Sequence, residues 1–359
     1  MAAQPVLAGA EQRQVTAKQI ASFPNLRVLA WDRETLYASR GYTLLASRPV
    51  TETTNWQVVG RFYPPAWRRL TSLNSLSYRL VRDGFHALAA HPSGNIIAAV
   101  PGAIATLRAG EKRFAVSHRI TRGTRPLHIT AIPDGTVLWG EYFDNPHRDE
   151  VHIYASGDAG VTWNIAHTFP KRSIRHIHNI VYDRWAHALW IFTGDYGAEC
   201  RILRASLDFR SVDEVISGDQ QARAVASVVT ESGLFFATDT PLEQNFIKFM
   251  DRSGRVENRG KLPSSSIHGC QNRAGIFFSS MVEPSTVNSD SEVSLFGGSH
   301  HLEWKALATW RKDRWPMKFF QYGNAFLPDG DNNTDLLAVT TVAVKGADLC
   351  TTIWRTTNT

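Results

Sequence analysis

Only three cysteines (Cys200, Cys270 and Cys350) occur in 359 residues, widely spaced and without a C-x-x-C pair. That excludes a disulfide framework and fits a reducing compartment. No apolar stretch approaches the roughly 20 residues that a helix needs to cross a bilayer. The opening, MAAQPVLAGAEQRQ, has neither the basic flank nor the apolar stretch of a secretory leader. The expected location is therefore the cytoplasm, or outside the cell if a leader was removed. Lysine is scarce, at 9 against 30 arginines, so the net charge of +6 rests on guanidinium groups. Guanidinium forks match carboxylates and phosphates, which points to an acidic ligand, although codon usage in a GC-rich genome has the same effect. The basic residues form no run, RR at 68–69 and KR at 171–172 being the densest pairs, so neither a nucleic-acid nor a membrane partner is expected. Helical periodicity beyond two turns is missing everywhere except around residues 60–82.

What the chain does have is a repeat of about 45–50 residues. Each unit opens with two short apolar strands around a tight turn. The pairs are RVLAWDRETLYAS (27–39), HALAAHPSGNIIAAV (86–100), LHITAIPDGTVLWGEYF (127–143), IHNIVYDRWAHALWIFTGD (177–195), AVASVVTESGLFFATDT (224–240), IHGCQNRAGIFFSSMVE (267–283) and YGNAFLPDGDNNTDLLAVTTV (322–342). The turns PSG, PDG, ESG, RAG and PDGDN carry the residues that hairpins favour. Third strands follow as VHIYAS (151–156), RILRAS (201–206), FIKFMD (246–251), EVSLFGG (292–298) and CTTIWRT (350–356). Seven sequential antiparallel units predict an all-β chain folded as a seven-bladed β-propeller of four-stranded blades. The last unit ends on its third strand, so QVTAKQI (14–20) is expected to close it as the fourth. No Pro/Ser-rich linker divides the chain. One domain over 1–359 is expected, with 1–12 a flexible arm and 62–82 an insertion.

One segment carries a family resemblance. SGDAGVTW, Ser156 to Trp163, matches the S-x-D-x-G-x-T-W Asp box, and SLDFRSV (206–212), DRSGRV (251–256) and SHHLEW (299–304) are eroded copies at repeat spacing. The chain thus resembles the Asp-box (BNR-repeat), sialidase-like propellers. The resemblance implies that the box is structural and sits away from the ligand site. It does not imply one activity, because the superfamily spans sialidases, other glycoside hydrolases, sugar-binding modules and scaffolds. The R-I-P motif of true sialidases is not present; the nearest segment is FPNLRVL (23–29).

In such a propeller the start of each inner strand and the loop after each second strand share one face. Reading those positions brings together His86, His128, His178 with His176, and His268, then Gln321 and Tyr322. Second-strand ends contribute Glu141, Tyr142, Asp195, Asp239 and Glu283. Histidines with carboxylates and a tyrosine can do acid–base work near neutral pH. The expectation is a carbohydrate-active protein cleaving an acidic saccharide by hydrolysis or β-elimination. His178 and His128 would be the acid–base pair, assisted by Glu141, Tyr142 and Asp195. Substrate contacts are assigned to His86, His176, His268, Arg125, Arg175, Asp239, Gln244, Glu283, Gln321, Tyr322 and Asn324. A divalent metal held by the histidines with Gln321 is a further option. The competing expectation is a non-catalytic sugar-binding or scaffolding propeller. Exposed aromatics in 62–82 would favour a sugar platform or partner surface, and Cys200 and Cys270 read as buried small hydrophobes.

Overall fold

The computed structural model describes residues 14–358 apart from 49 and 52. The arm expected over residues 1–12 lies outside the described residues. Seven sheets surround a central axis, their strands following one another outward in sequence order except that the last takes its outer strand from the N-terminus and the first gains an inner strand from near the C-terminus. The inner strands are Arg27–Arg33, Ala87–Ala90, Thr130–Ala131, Ile177–Asp183, Ala224–Thr230, His268–Gln271 and Asn324–Phe326, for blades one to seven. The last blade is closed by the N-terminal strand, Val15–Pro24, which pairs antiparallel with Cys350–Asn358. This is the seven-bladed propeller that the repeat predicts.

Burial explains why these segments are strands. Strands near the axis, such as Ile96–Val100 and Ala103–Leu107, are buried along their whole length because both faces meet neighbouring blades. Outer strands such as Ala115–Arg119 are largely exposed or half-buried. The hydrophobic core is accordingly a set of wedges between adjacent blades. Leu29, Leu44, Phe85 and Leu88 seal blade one to two, and Ile97, Ile104, Val137 and Trp139 seal two to three. The last join, blade seven to one, packs Leu336, Ala338 and Ile353 against Val28, Leu36 and Leu45.

One departure strengthens that join. PDGDN was expected to be a hairpin turn. Instead Asp329–Asn332 forms a strand that pairs in parallel with the inner strand of blade one, making that sheet five-stranded. Gly330 permits it: its φ is +87°, and a Cβ there would sit 2.2 Å from the Trp31 carbonyl oxygen.

The insertion is two short helices, α1 (Ala66–Thr71) and α2 (Ser75–Val81), between blades one and two. Buried Asp83 anchors them, accepting from Tyr42 Oη (2.7 Å), Arg68 Nη1 (2.8 Å) and Thr71 Oγ1 (2.5 Å). Arg79, fully buried, bonds Asp313 (2.6 Å), Asp348 (3.1 Å) and the Phe320 carbonyl, tying α2 to the loops of blades six and seven. The outward side carries Trp67, Leu70 and Leu73, the last 81% exposed, so the aromatics-out condition for a platform or partner surface is met. Among the described residues, no helix is long and apolar enough to cross a membrane.

The Asp-box turn joins the third and fourth strands of blade three. Asp158 Oδ1 accepts from Ser156 Oγ (2.7 Å), Val161 N (3.1 Å) and Thr162 N (2.8 Å), and Trp163 Nε1 donates to Ser117 Oγ (3.1 Å). Asp208 and Asp251 repeat the pattern at the same turn of blades four and five. These turns lie on the face opposite to the one where inner strands begin.

Candidate functional site

On the face where inner strands begin, blades four and five build a tight polar cluster. His176 leads into the inner strand of blade four and His178 lies within it, at an irregularity in the pairing between Ile177 and Asn179. Asp195 stands on the loop after the second strand of the same blade. Its Oδ1 is 3.2 Å from His178 Nε2 and 3.4 Å from His176 Nε2, and the two Nε2 atoms are 3.1 Å apart. Both rings are oriented by backbone: His176 Nδ1 lies 3.0 Å from the Phe143 carbonyl and His178 Nδ1 lies 3.0 Å from that of Ala224. Arg175 Nη1 is 3.2 Å from Asp195 Oδ2 while its other amino group bonds Asp144. Arg223 Nη2 is 3.4 Å from both Asp195 and Asp239.

Burial sets the protonation states. It pushes the Asp195 carboxyl upward, but hydrogen bonds and charge from His176 and His178 outweigh it and hold the pKa far below the usual carboxylate range. Burial lowers the His178 pKa against the opposing hydrogen bond to Asp195. Asp239 behaves oppositely: burial first, then the Glu283 and Asp195 charges, lift it to about 7 against the pull of Arg223. Glu283 adds a buried Oε2 with no hydrogen-bond partner.

A second, cationic half stands beside this cluster. Arg27 begins the inner strand of blade one, with its guanidinium 4.1 Å above the Phe326 ring. Its neighbours are Arg125, on the loop into blade three, and Arg82, at the end of α2. Burial, then Arg27 and Arg82, depress the Arg125 pKa to about 9. Among the described residues, Arg27, Arg82 and Arg125 make no ion pair with a carboxylate; their polar side-chain contacts are Arg27 to His86 Nδ1 (3.4 Å) and Arg125 to Thr124 Oγ1 (3.4 Å). Tyr142 stands between the halves. Its ring centroid is 4.3 Å from that of His176, and burial, then the charges of Asp195 and Asp239, raise its pKa to about 12 while Arg223 and Arg82 oppose them.

The structure therefore gathers His176, His178, Tyr142, Arg175, Asp195, Asp239 and Glu283, and sets His86 and Arg125 beside them. Other expectations are corrected. The four strand-leading histidines do not share a pocket. His128 is not paired with His178: its Nδ1 is 3.1 Å from Asp329 Oδ2 and it lines a cavity of about 490 Å³ along the axis toward the opposite face. His268 packs tilted against Phe326 at 4.5 Å, and burial, then the His128 and Arg27 charges, lower its pKa, placing it by the arginines and not by the His176–His178 cluster. Glu141 is not an acid–base group, because Arg122 clamps both of its oxygens and the His152 N–H donates to it at 2.9 Å. Gln244 donates to the Leu262 carbonyl (2.6 Å), and Gln321 to that of Arg79 (2.8 Å), away from the histidines it was expected to join around a metal. Asn324 Oδ1 is taken by the Ala325 N–H (2.8 Å), and Tyr322 is exposed.

Four residues escaped the sequence reading. Arg27 occupies the same repeat position as His86 and His178, so the position rule pointed to it had it not been restricted to histidines. Arg223 immediately precedes an inner strand and carried the same signal. Arg82 follows a helix inside an insertion and had none. Asp329 was hidden by its assignment to a turn.

No known family model matches the chain, and no curated protein matches it in sequence. Solved structures match in fold. A chain of the mitotic checkpoint complex superposes with a TM-score of 0.58 at 10% identity, covering 99% of this chain and 98% of that one. The computationally designed Ika8 protein (TM-score 0.52, 8% identity, 94% and 99% covered) and the WD40 β-propeller domain of Doa1 (0.52, 12%, 94% and 96%) are also similar. At these identities the likeness is one of architecture.

Proposed function

We propose that this protein is a carbohydrate-binding propeller that recognises an acidic saccharide at the face where its inner strands begin. The observation that carries this reading is the group of Arg27, Arg82 and Arg125. Arg27 and Arg82 stand close enough to the buried Arg125 to help depress its protonation, and with no carboxylate paired to the three guanidinium groups a bound anion would restore the lost free energy. A carboxylate seated there would leave its sugar ring beside Tyr142, with Asp239 and Glu283 placed to hydrogen-bond hydroxyls. The Asp-box resemblance supports a saccharide as the carrier of that charge. The test is isothermal titration with oligouronates and with neutral oligosaccharides of equal length. Uronates should bind and neutral sugars should not, and affinity should fall as salt screens the guanidinium groups. Equal binding of both, or of neither, contradicts the reading.

A second reading, turnover of the same ligand, is favoured by Tyr142 packed tilted against His176 beside Asp239. A carboxylate neutralised by arginines acidifies the proton alpha to it; in β-elimination the Asp239 carboxylate would take that proton, the C–O bond to the leaving sugar would break as the C=C bond forms, and the Tyr142 hydroxyl would protonate the departing oxygen. The appearance of unsaturated product absorbance with oligouronates tests it directly.

A further inference from the structure

We infer that His176, His178 and Asp195 form a binding site for one divalent first-row transition metal ion. The argument rests on lone pairs. A carbonyl oxygen only accepts, so Nδ1 of both rings must carry the proton that each donates, to Phe143 and to Ala224. Nε2 is then the ring atom left to act as a ligand. The two Nε2 atoms and Asp195 Oδ1 converge on one another with separations of 3.1, 3.2 and 3.4 Å. Three potential ligand atoms, each with a lone pair to offer, thus meet at one point.

The separations suit an ion. Ligands at about 2.0–2.1 Å from a metal stand about 3.0 Å apart in an octahedron and about 3.4 Å apart in a tetrahedron. Two imidazoles and one carboxylate on a single face is a ligand set for zinc, manganese or ferrous iron, and it leaves the remaining positions open. The Nδ1–H to carbonyl bonds are the outer supports that metal-bound histidines normally carry. All three side chains are buried or nearly so, which protects the site from competing waters. Two neighbouring cations also reach Asp195, Arg175 Nη1 at 3.2 Å from Oδ2 and Arg223 Nη2 at 3.4 Å from Oδ1, and each has a second carboxylate partner, Asp144 and Asp239.

The placement has a local cause. Residues two apart on a strand point to the same side, and the irregularity at His178 turns its ring toward that of His176. This site does not depend on the saccharide reading, because the arginine group and the triad are different side chains.

The full chain is stripped with chelator, dialysed and titrated with zinc and manganese chlorides by calorimetry. About one equivalent should bind, raising the thermal midpoint in a way that chelator reverses. The His176→Ala/His178→Ala and Asp195→Asn variants should each lose about 100-fold or more in affinity. X-ray absorption of the zinc-loaded wild type should show imidazole scattering from two ligands and no sulfur, a readout that holds even if a variant fails to fold. Less than about a tenth of an equivalent bound by the wild type, undiminished affinity in folded variants, or a first shell without imidazole overturns the site.

Discussion

Arg27 donates through Nη1 to His86 Nδ1 across 3.4 Å. His86 in turn donates from Nε2 to the Arg82 carbonyl at 2.8 Å, so one imidazole links two of the three arginines. The direction of these bonds requires a neutral ring. Burial, then the Arg125 and Arg27 charges, enforce that by pushing the His86 pKa well below its ordinary value. The cationic wall is thus held in place by a group that cannot neutralise it.

A site that keeps like charges together gives up stability for binding. Arg125→Met keeps the buried stem and removes one of the crowded charges. It should stabilise the free protein by about 0.5–1 kcal/mol and weaken oligouronate binding about tenfold or more. Urea denaturation and calorimetry on the same samples check both signs. Destabilisation together with unchanged affinity would mean the guanidinium groups are structural.

The pH dependence of stability follows from Asp239. Its pKa is about 7 in the fold, against an ordinary value near 4, so between those values the native state holds a proton that the unfolded chain has released. This contribution is fully present below about pH 4 and is lost as pH rises through 7. Asp239→Asn removes the dependence. The variant should be more stable than wild type at pH 8 by about 1–3 kcal/mol, less than the roughly 4 kcal/mol of the full shift because Arg223 loses a partner. Near pH 4 the two should be equal. Denaturation curves at both pH values decide it.

The Asp box makes a contrasting prediction. Asp158 holds one turn on the face opposite to the arginines. Its carboxylate is kept near pKa 2 because bonds from Thr162 and Ser156 outweigh the effect of burial. Asp158→Ala should cost about 1–2 kcal/mol through the lost turn bonds and leave ligand affinity unchanged. A loss of binding with intact stability would move the site to the other face.

Arg79 tests how the insertion is fastened. Arg79→Met leaves the Asp313 and Asp348 carboxylates without their shared buried partner. It should cost about 3–5 kcal/mol, measurable by chemical denaturation. A cost below 1 kcal/mol would show that α1 and α2 are held by the Asp83 bonds and packing without need of Arg79.

The architecture was legible because it is local and repeated. Strand pairs of similar length around PSG, ESG and RAG state their own pairing, and a chain that ends on a third strand asks for a fourth from its other terminus. The five-stranded blade was not legible, since the parallel pairing of Asp329–Asn332 with Ala30–Arg33 joins segments some 300 residues apart and has no local signature. The site was half legible. Repeat position correctly placed His176, His178, Asp195 and Asp239 on one face. It could not say which way each side chain turns, so Glu141, claimed by Arg122, and His128, claimed by Asp329, looked equivalent to them. Charge partnership is a property of neighbours distant in sequence, and that is why the grouping of Arg125 with Arg27 and Arg82, without a carboxylate, emerged only from the folded chain.

The most direct measurement is a crystal structure of the full chain with an oligouronate bound. The account predicts a uronate carboxylate within about 3 Å of at least two of the Arg27, Arg82 and Arg125 guanidinium groups, with the sugar ring beside Tyr142. A ligand bound in the axial cavity by His128, or on the outer rim, with the three arginines untouched, would contradict it.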